Sequence, residues 1–145
     1  MVSHRVRWLA GLVLLGLLLS ACSFGPPPSC GDTIGGTADT ATFDRYFARM
    51  ALVNQVTGEP GVEGNEGEQF AAADPLAIQL EAKSDVAVRA CVQPRAGGKT
   101  LAFDQTQTLA AGKGSFALGS FKSGSYVIRV IVEGTLVKNF PFTTQ

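Results

Sequence analysis

Three side chains in this sequence could take part in covalent chemistry: the thiols of Cys22, Cys30 and Cys91. A thiol can be acylated, can pair as a disulfide or can ligate a soft metal, and its surroundings decide which. Other nucleophiles lack partners. The single histidine, His4, and the single tryptophan, Trp8, both fall within the first 21 residues. Beyond them no imidazole remains, which excludes Ser-His-Asp and Cys-His catalysis and histidine-ligated zinc or haem. Ser115, Ser120, Ser123 and Ser125 have no histidine base, and Lys122 would need a serine-lysine arrangement that no motif supports. Gly97-Gly98-Lys99-Thr100 ends like a phosphate-binding loop but lacks the glycine upstream, so it reads as a hairpin turn. No enzymatic activity and no cofactor are expected.

A second group of residues offers oxygen ligands. Residues 57–69 read TGEPGVEGNEGEQ, with Gly58, Gly61, Gly64 and Gly67 three apart. Glu59, Glu63, Asn65, Glu66 and Glu68, with Asp74 nearby, are hard donors of the kind calcium takes, but their spacing matches no EF-hand loop and the glycines make a site costly to order. The stretch reads as a mobile acidic loop, and the same five residues are the candidate contacts for a protein partner, since long loops on a rigid scaffold often carry recognition. Asp85 and Asp104 read as turn and strand-edge acids, with nothing to pair them for glycoside hydrolysis.

Charge narrows the partners. The whole chain balances 12 Lys+Arg against 12 Asp+Glu. Arg5 and Arg7 belong to the first 21 residues, which hold no acid; the remaining 124 residues carry ten basic and twelve acidic side chains, net −2. That leaves no electrostatic reason to expect nucleic acid. Arg89, Arg95, Lys99, Lys113, Lys122, Arg129 and Lys138 are dispersed and read as solvated sheet-face charges, with Lys113 and Lys122 placed to discourage edge-to-edge pairing.

These groups must be positioned by the rest of the chain. Met1–Arg7 is basic, Trp8–Leu19 is apolar apart from Gly11 and Gly16, and Ser20 and Ala21 are small, the tripartite layout of an export signal. An apolar run of 12 residues spans roughly 18 Å as a helix, too short for a permanent crossing. Leu19-Ser20-Ala21-Cys22 at its end resembles the lipobox of bacterial lipoproteins. The resemblance implies that Cys22 is diacylglycerated, that a peptidase cuts before it, and that two or three acyl chains hold the mature protein on a membrane. Ser23, which is not aspartate, goes in that family with outer-membrane delivery where the cell has an outer membrane. Residues 1–21 are thus the signal and residues 22–42 a lipidated tether, stiffened by Pro26-Pro27-Pro28 and looser beyond.

With Cys22 committed to lipid, Cys30 and Cys91 remain, and an exported chain meets an oxidising compartment in which they can pair. In Val86–Val92 the apolar set Val86, Val88, Ala90 and Val92 faces one way, so Ala87, Arg89 and Cys91 project to the opposite, outer face. An outward thiol suits a tether folded back over a sheet.

From residue 43 to 145 period-two alternation dominates, punctuated by turn residues. Expected strands are Leu76–Ala82, Val86–Gln93, Lys99–Asp104 with Leu101 and Phe103 inward, Ser115–Leu118, Ser125–Glu133 and Leu136–Thr144. Residues 43–56 fit either a strand over Phe47–Gln55, which is preferred, or a short helix. Tyr126, Ile128, Val130 and Val132 match Leu136, Phe140 and Phe142 across a three-residue loop, Glu133-Gly134-Thr135; a two-residue Glu-Gly turn would place Val132 beside Thr135. Phe121-Lys122-Ser123-Gly124-Ser125-Tyr126, leading into an apolar strand, a hairpin and a terminal strand, resembles the end of immunoglobulin-like and fibronectin-III-like domains. The resemblance implies an all-β fold, an immunoglobulin-like antiparallel β-sandwich of about seven strands, without the buried tryptophan or inter-sheet disulfide of antibody domains. The expected function is that of an exported, membrane-anchored lipoprotein, a non-catalytic binding, adhesion or accessory module of the cell envelope with a protein partner there. The alternatives are a structural subunit of a larger envelope complex and a glycan or small-ligand binder; the first of these would make contact through an edge strand or the 57–69 loop, and the second has few aromatic platforms for sugar.

Overall fold

The computed structural model describes residue 30 and residues 36–96 and 100–145. The expected signal over residues 1–21, Cys22, the Pro26-Pro27-Pro28 run and the turn expected at Gly97-Gly98-Lys99 lie outside the described residues.

The most apolar alternating stretches pair with each other. β8 (Gly124–Val132) and β9 (Thr135–Thr144) run antiparallel, with Tyr126 opposite Phe142 and Ile128 opposite Phe140. The connection is not the three-residue loop expected. Val132 faces Thr135, and Glu133 and Gly134 form a two-residue turn with φ of 51° and 75°. Two positive φ values in succession give the turn whose twist matches that of paired strands. The distal register survives because of a β-bulge: pairing steps from Val130–Lys138 to Ile131–Leu136 and leaves Val137 extra. The bulge lets Val137 enter the core while its neighbour Leu136 packs on the opposite face.

β5 (Val86–Pro94) lies beside β8, and β6 (Phe103–Leu109) beside β5. β6 starts four residues later than the strand expected from Lys99, so Leu101 and Phe103 are not two inward residues of one strand. Phe103 packs against the main core and Leu101 against the outer cluster containing Cys91. In place of apolar alternation β6 carries Gln105–Thr108, all exposed, which suits the edge position it holds.

The opposing sheet has three strands in the order β1 (Phe47–Asn54), β4 (Leu76–Ala82) and β7 (Gly112–Gly119), all antiparallel. β7 extends well beyond Ser115–Leu118 at its glycine-containing start. Leu52, Ile78 and Phe116 on its inner face share one buried cluster with Val88, Ile128 and Phe142 of the larger sheet. Residues 43–56 resolve into both readings in succession: α1 (Thr40–Tyr46), capped by Asp39 accepting from the Thr42 N–H at 2.7 Å, then β1. Residues 36–42 are attached to the body. The Asp39 N–H donates to the Leu136 carbonyl, and Asn139 Nδ2 donates to the Gly36 carbonyl at 2.9 Å.

The fold has nine strands among the described residues, against about seven expected. The two additional ones arise where a mobile loop was expected: β2 (Val62–Gly64) and β3 (Gly67–Phe70) form a tight hairpin over Asn65 and Glu66. β3 then pairs in parallel with β9, giving the larger sheet the order β2-β3-β9-β8-β5-β6. Phe70 anchors the hairpin, its ring 6.5 Å from that of Phe142, which itself stacks on Tyr126 at 5.2 Å. Close approach also requires a glycine. Gly67 has φ of 110°, and a Cβ there would meet the Pro141 carbonyl oxygen at 2.0 Å. Gly67→Ala is expected to lower stability by about 2–3 kcal/mol in urea unfolding and to raise amide exchange across β2 and β3. A variant within about 0.5 kcal/mol of wild type would mean that β3 does not need this approach to β9.

Candidate functional site

On the face of the larger sheet away from the core, Cys91 stands where its parity placed it. It is bonded as a disulfide to Cys30, with a Cα–Cα distance of 6.1 Å. Neither sulfur reaches solvent: both residues are buried with Ile131, under Leu101 and Leu136, in a small cluster separate from the core. Cys30 and residues 36–39 lie against this face, held by the disulfide and by the backbone bonds of Gly36 and Asp39.

Beside the disulfide, Arg89 grips Asp104 through two parallel bonds, Nε to Oδ1 and NH2 to Oδ2, each 2.8 Å. These bonds hold the Asp104 carboxyl below the usual range and the Arg89 guanidinium above its own; partial burial works against both shifts. A carboxyl with a lowered folded pKa adds stability above its unfolded value and loses it as pH falls through the folded one. The contribution should therefore begin to fade near pH 4, the unfolded value, and be gone only below the lowered folded one. Asp104→Asn should unfold in urea with a flatter acid limb between pH 5 and 2 than wild type; parallel limbs would count against the pair. Both groups are part exposed, so the effect is small. Asp85 is likewise structural, accepting from the Ala111 N–H at 2.9 Å.

The five acidic-segment residues do not converge on a point. Glu59 lies in the exposed connection after β1, Glu63 on β2, Asn65 and Glu66 in the hairpin turn, and Glu68 on β3. Glu63 and Glu68 sit directly opposite each other, a repulsive cross-strand pair eased because Glu68 turns to accept the Gly61 N–H at 3.1 Å. Glu66 accepts from the Ser125 hydroxyl at 2.7 Å. Among the described residues no group of three or more His, Cys, Asp or Glu side chains is close enough to hold a metal ion. What the hairpin builds is a surface. Its turn and the ends of β8 and β9 line a polar trough of about 300 Å³ including Asn65, Glu66, Gln69, Ser125 and Thr143. Beside the trough, β2 has one edge unpaired among the described residues, and its Val62 is 73% exposed.

No protein-family model and no curated protein matches the chain. Among solved structures it is similar to the X-ray crystal structure of a "Putative Lipoprotein from Bacillus anthracis", with 10% sequence identity, a TM-score of 0.40, and coverage of 72% of this chain and 91% of that one. Among the described residues no helix is long and apolar enough to cross a membrane.

Two sets of residues escaped the sequence reading. Gln69 joins Ser125 and Thr143, which are cross-strand partners in β8 and β9, only through the parallel β3–β9 pairing, which no local pattern announces. Arg129, read as a solvated charge, is only 7% exposed. Its signal was available: it interrupts the run Tyr126–Val132, a strand apolar on both faces and hence central.

Proposed function

We propose that this chain is an exported lipoprotein, diacylated on Cys22, whose immunoglobulin-like β-sandwich acts by binding a protein partner in the cell envelope and catalyses no reaction. The observation that carries the reading is Leu19-Ser20-Ala21-Cys22 standing where an apolar run of export-signal length ends.

Strand order supports the sandwich reading. β1, β4 and β7 run in the order of strands A, B and E of an immunoglobulin-like domain, and β9, β8, β5 and β6 in the order G, F, C and C′, with the β2–β3 hairpin inserted after A. Tyr126 near the start of β8 donates its hydroxyl to the Lys122 carbonyl at 2.8 Å, the corner that such domains make at the start of strand F.

The partner contact is assigned to the hairpin. Among the described residues it combines an open strand edge, an exposed valine, a polar trough and acids without salt-bridge partners, and open edges are ready templates for a strand of another chain. A photoreactive residue at Glu63 should crosslink one envelope protein in intact cells, whereas one at Gln107 on the opposite edge strand should not. Equal labelling from both positions, or none from Glu63, would reject the hairpin as the contact.

A further inference from the structure

We propose that the outer face of the larger sheet holds a binding site for a small carboxylate that carries an adjacent hydroxyl or amino group. This site shares no lining residue with the hairpin trough and does not depend on lipidation.

A cavity of about 180 Å³ opens there, lined by Arg95, Val127, Arg129, Asn139 and Pro141. Three adjacent strands set it out: Arg129 pairs with Cys91 on one side and Asn139 on the other, Val127 with Gln93 and Pro141. The backbone N–H of Arg95 is fixed by donating to the Ser125 carbonyl. An arginine on an outer sheet face ordinarily extends its head into water. Arg129 instead is more than nine-tenths buried, and among the described residues its guanidinium has no hydrogen bond or salt bridge. Among the described residues the Arg95 guanidinium reaches only the Glu66 carbonyl, at 3.5 Å.

One lining residue, Asn139, also carries an unpaired buried acceptor. Asn139 uses its Nδ2 on the Gly36 carbonyl, which leaves Oδ1 buried with no donor. Gln93, next to Arg95 and Cys91 on the same face and 3% exposed, has a second buried carbonyl oxygen without a partner. Buried polar groups of native proteins are nearly always satisfied, so this concentration of unsatisfied ones marks a place where something else completes the bonding.

The complement follows from the inventory. Guanidinium groups only donate, in a fork that fits a carboxylate, whereas the Asn139 oxygen only accepts and needs an O–H or N–H. Val127 and Pro141 supply an apolar wall for a short alkyl group. At ~30 Å³ per water the cavity holds about six waters, the size of an α-hydroxy or α-amino acid of roughly six to eight non-hydrogen atoms.

Isothermal titration of the full protein in detergent tests this with D- and L-lactate, D- and L-alanine, acetate and inorganic phosphate. A lactate or alanine isomer should bind, with acetate at least ~10-fold weaker because it leaves the Asn139 acceptor unpaired. Arg129→Gln should abolish binding. Arg95→Gln, at an exposed position that leaves the fold intact, should weaken it ~10-fold through loss of one charge-assisted bond. No binding at 10 mM, acetate as tight as lactate, phosphate tighter than either, or an unchanged affinity in Arg95→Gln would each overturn the proposal.

Discussion

Removing the disulfide by replacing Cys30 and Cys91 together with alanine should cost about 4 kcal/mol of stability. The two cysteines are 61 residues apart, and a cross-link of that span removes loop-closure entropy from the unfolded chain by this amount on the chain-entropy model. Domains of this size have only about 5–15 kcal/mol in total. A fall in Tm of about 10–20 °C is therefore expected in a thermal melt, and the same fall when wild type is melted in reductant. Both cysteines are buried among Leu101, Ile131 and Leu136, so the alanine pair also loses a little apolar packing. A melt that neither the substitutions nor reductant shifts would contradict the cross-link, as would free thiols at both positions in denatured, unreduced protein.

The cross-link also fixes what the N-terminal chain does. With Cys30 held on the large sheet, at most seven residues separate the body from Cys22, a span of about 28 Å fully extended. The proposed anchor and the folded body are thus close neighbours, and the larger sheet is the face nearest the attachment point.

How much of this was legible in the sequence depends on the kind of signal each element carries. β4, β5, β8 and β9 bury one face or both, so their alternation was readable, and the parity of β5 sent Cys91 to the correct side. The elements missed are those stabilised by position rather than by apolar content. The β2–β3 hairpin is glycine-rich and acidic, and forms a sheet because Gly67 can approach Pro141 and Phe70 can reach Phe142. β6 is apolar only at its ends, Phe103 and Leu109, and polar from Asp104 to Thr108, as suits an edge. The β8–β9 turn was misjudged for a different reason. Counting by twos across the hairpin cannot accommodate an extra residue, and Val137 is one, so a correct distal register implied the wrong loop. The expected distal register already set Arg129 opposite Asn139; what it did not carry was the burial of Arg129.

The second large effect concerns Cys22. Two acyl chains on one sulfur-linked glyceride bury enough methylene groups, at about 0.8 kcal/mol each, to make membrane attachment stable, whereas an unmodified body with net charge −2 has no electrostatic hold on an anionic surface. Replacing the thiol removes both the acyl acceptor and the expected cleavage site in one step. Fractionation of cells carrying wild type or Cys22→Ala, followed by mass measurement of the N-terminal peptide, tests the account most directly. It predicts wild type in the membrane fraction, beginning at a Cys22 heavier by a diacylglyceryl group, and the variant released from membranes or retained only through its uncleaved signal. Wild type in the soluble fraction with an unmodified Cys22 would contradict it.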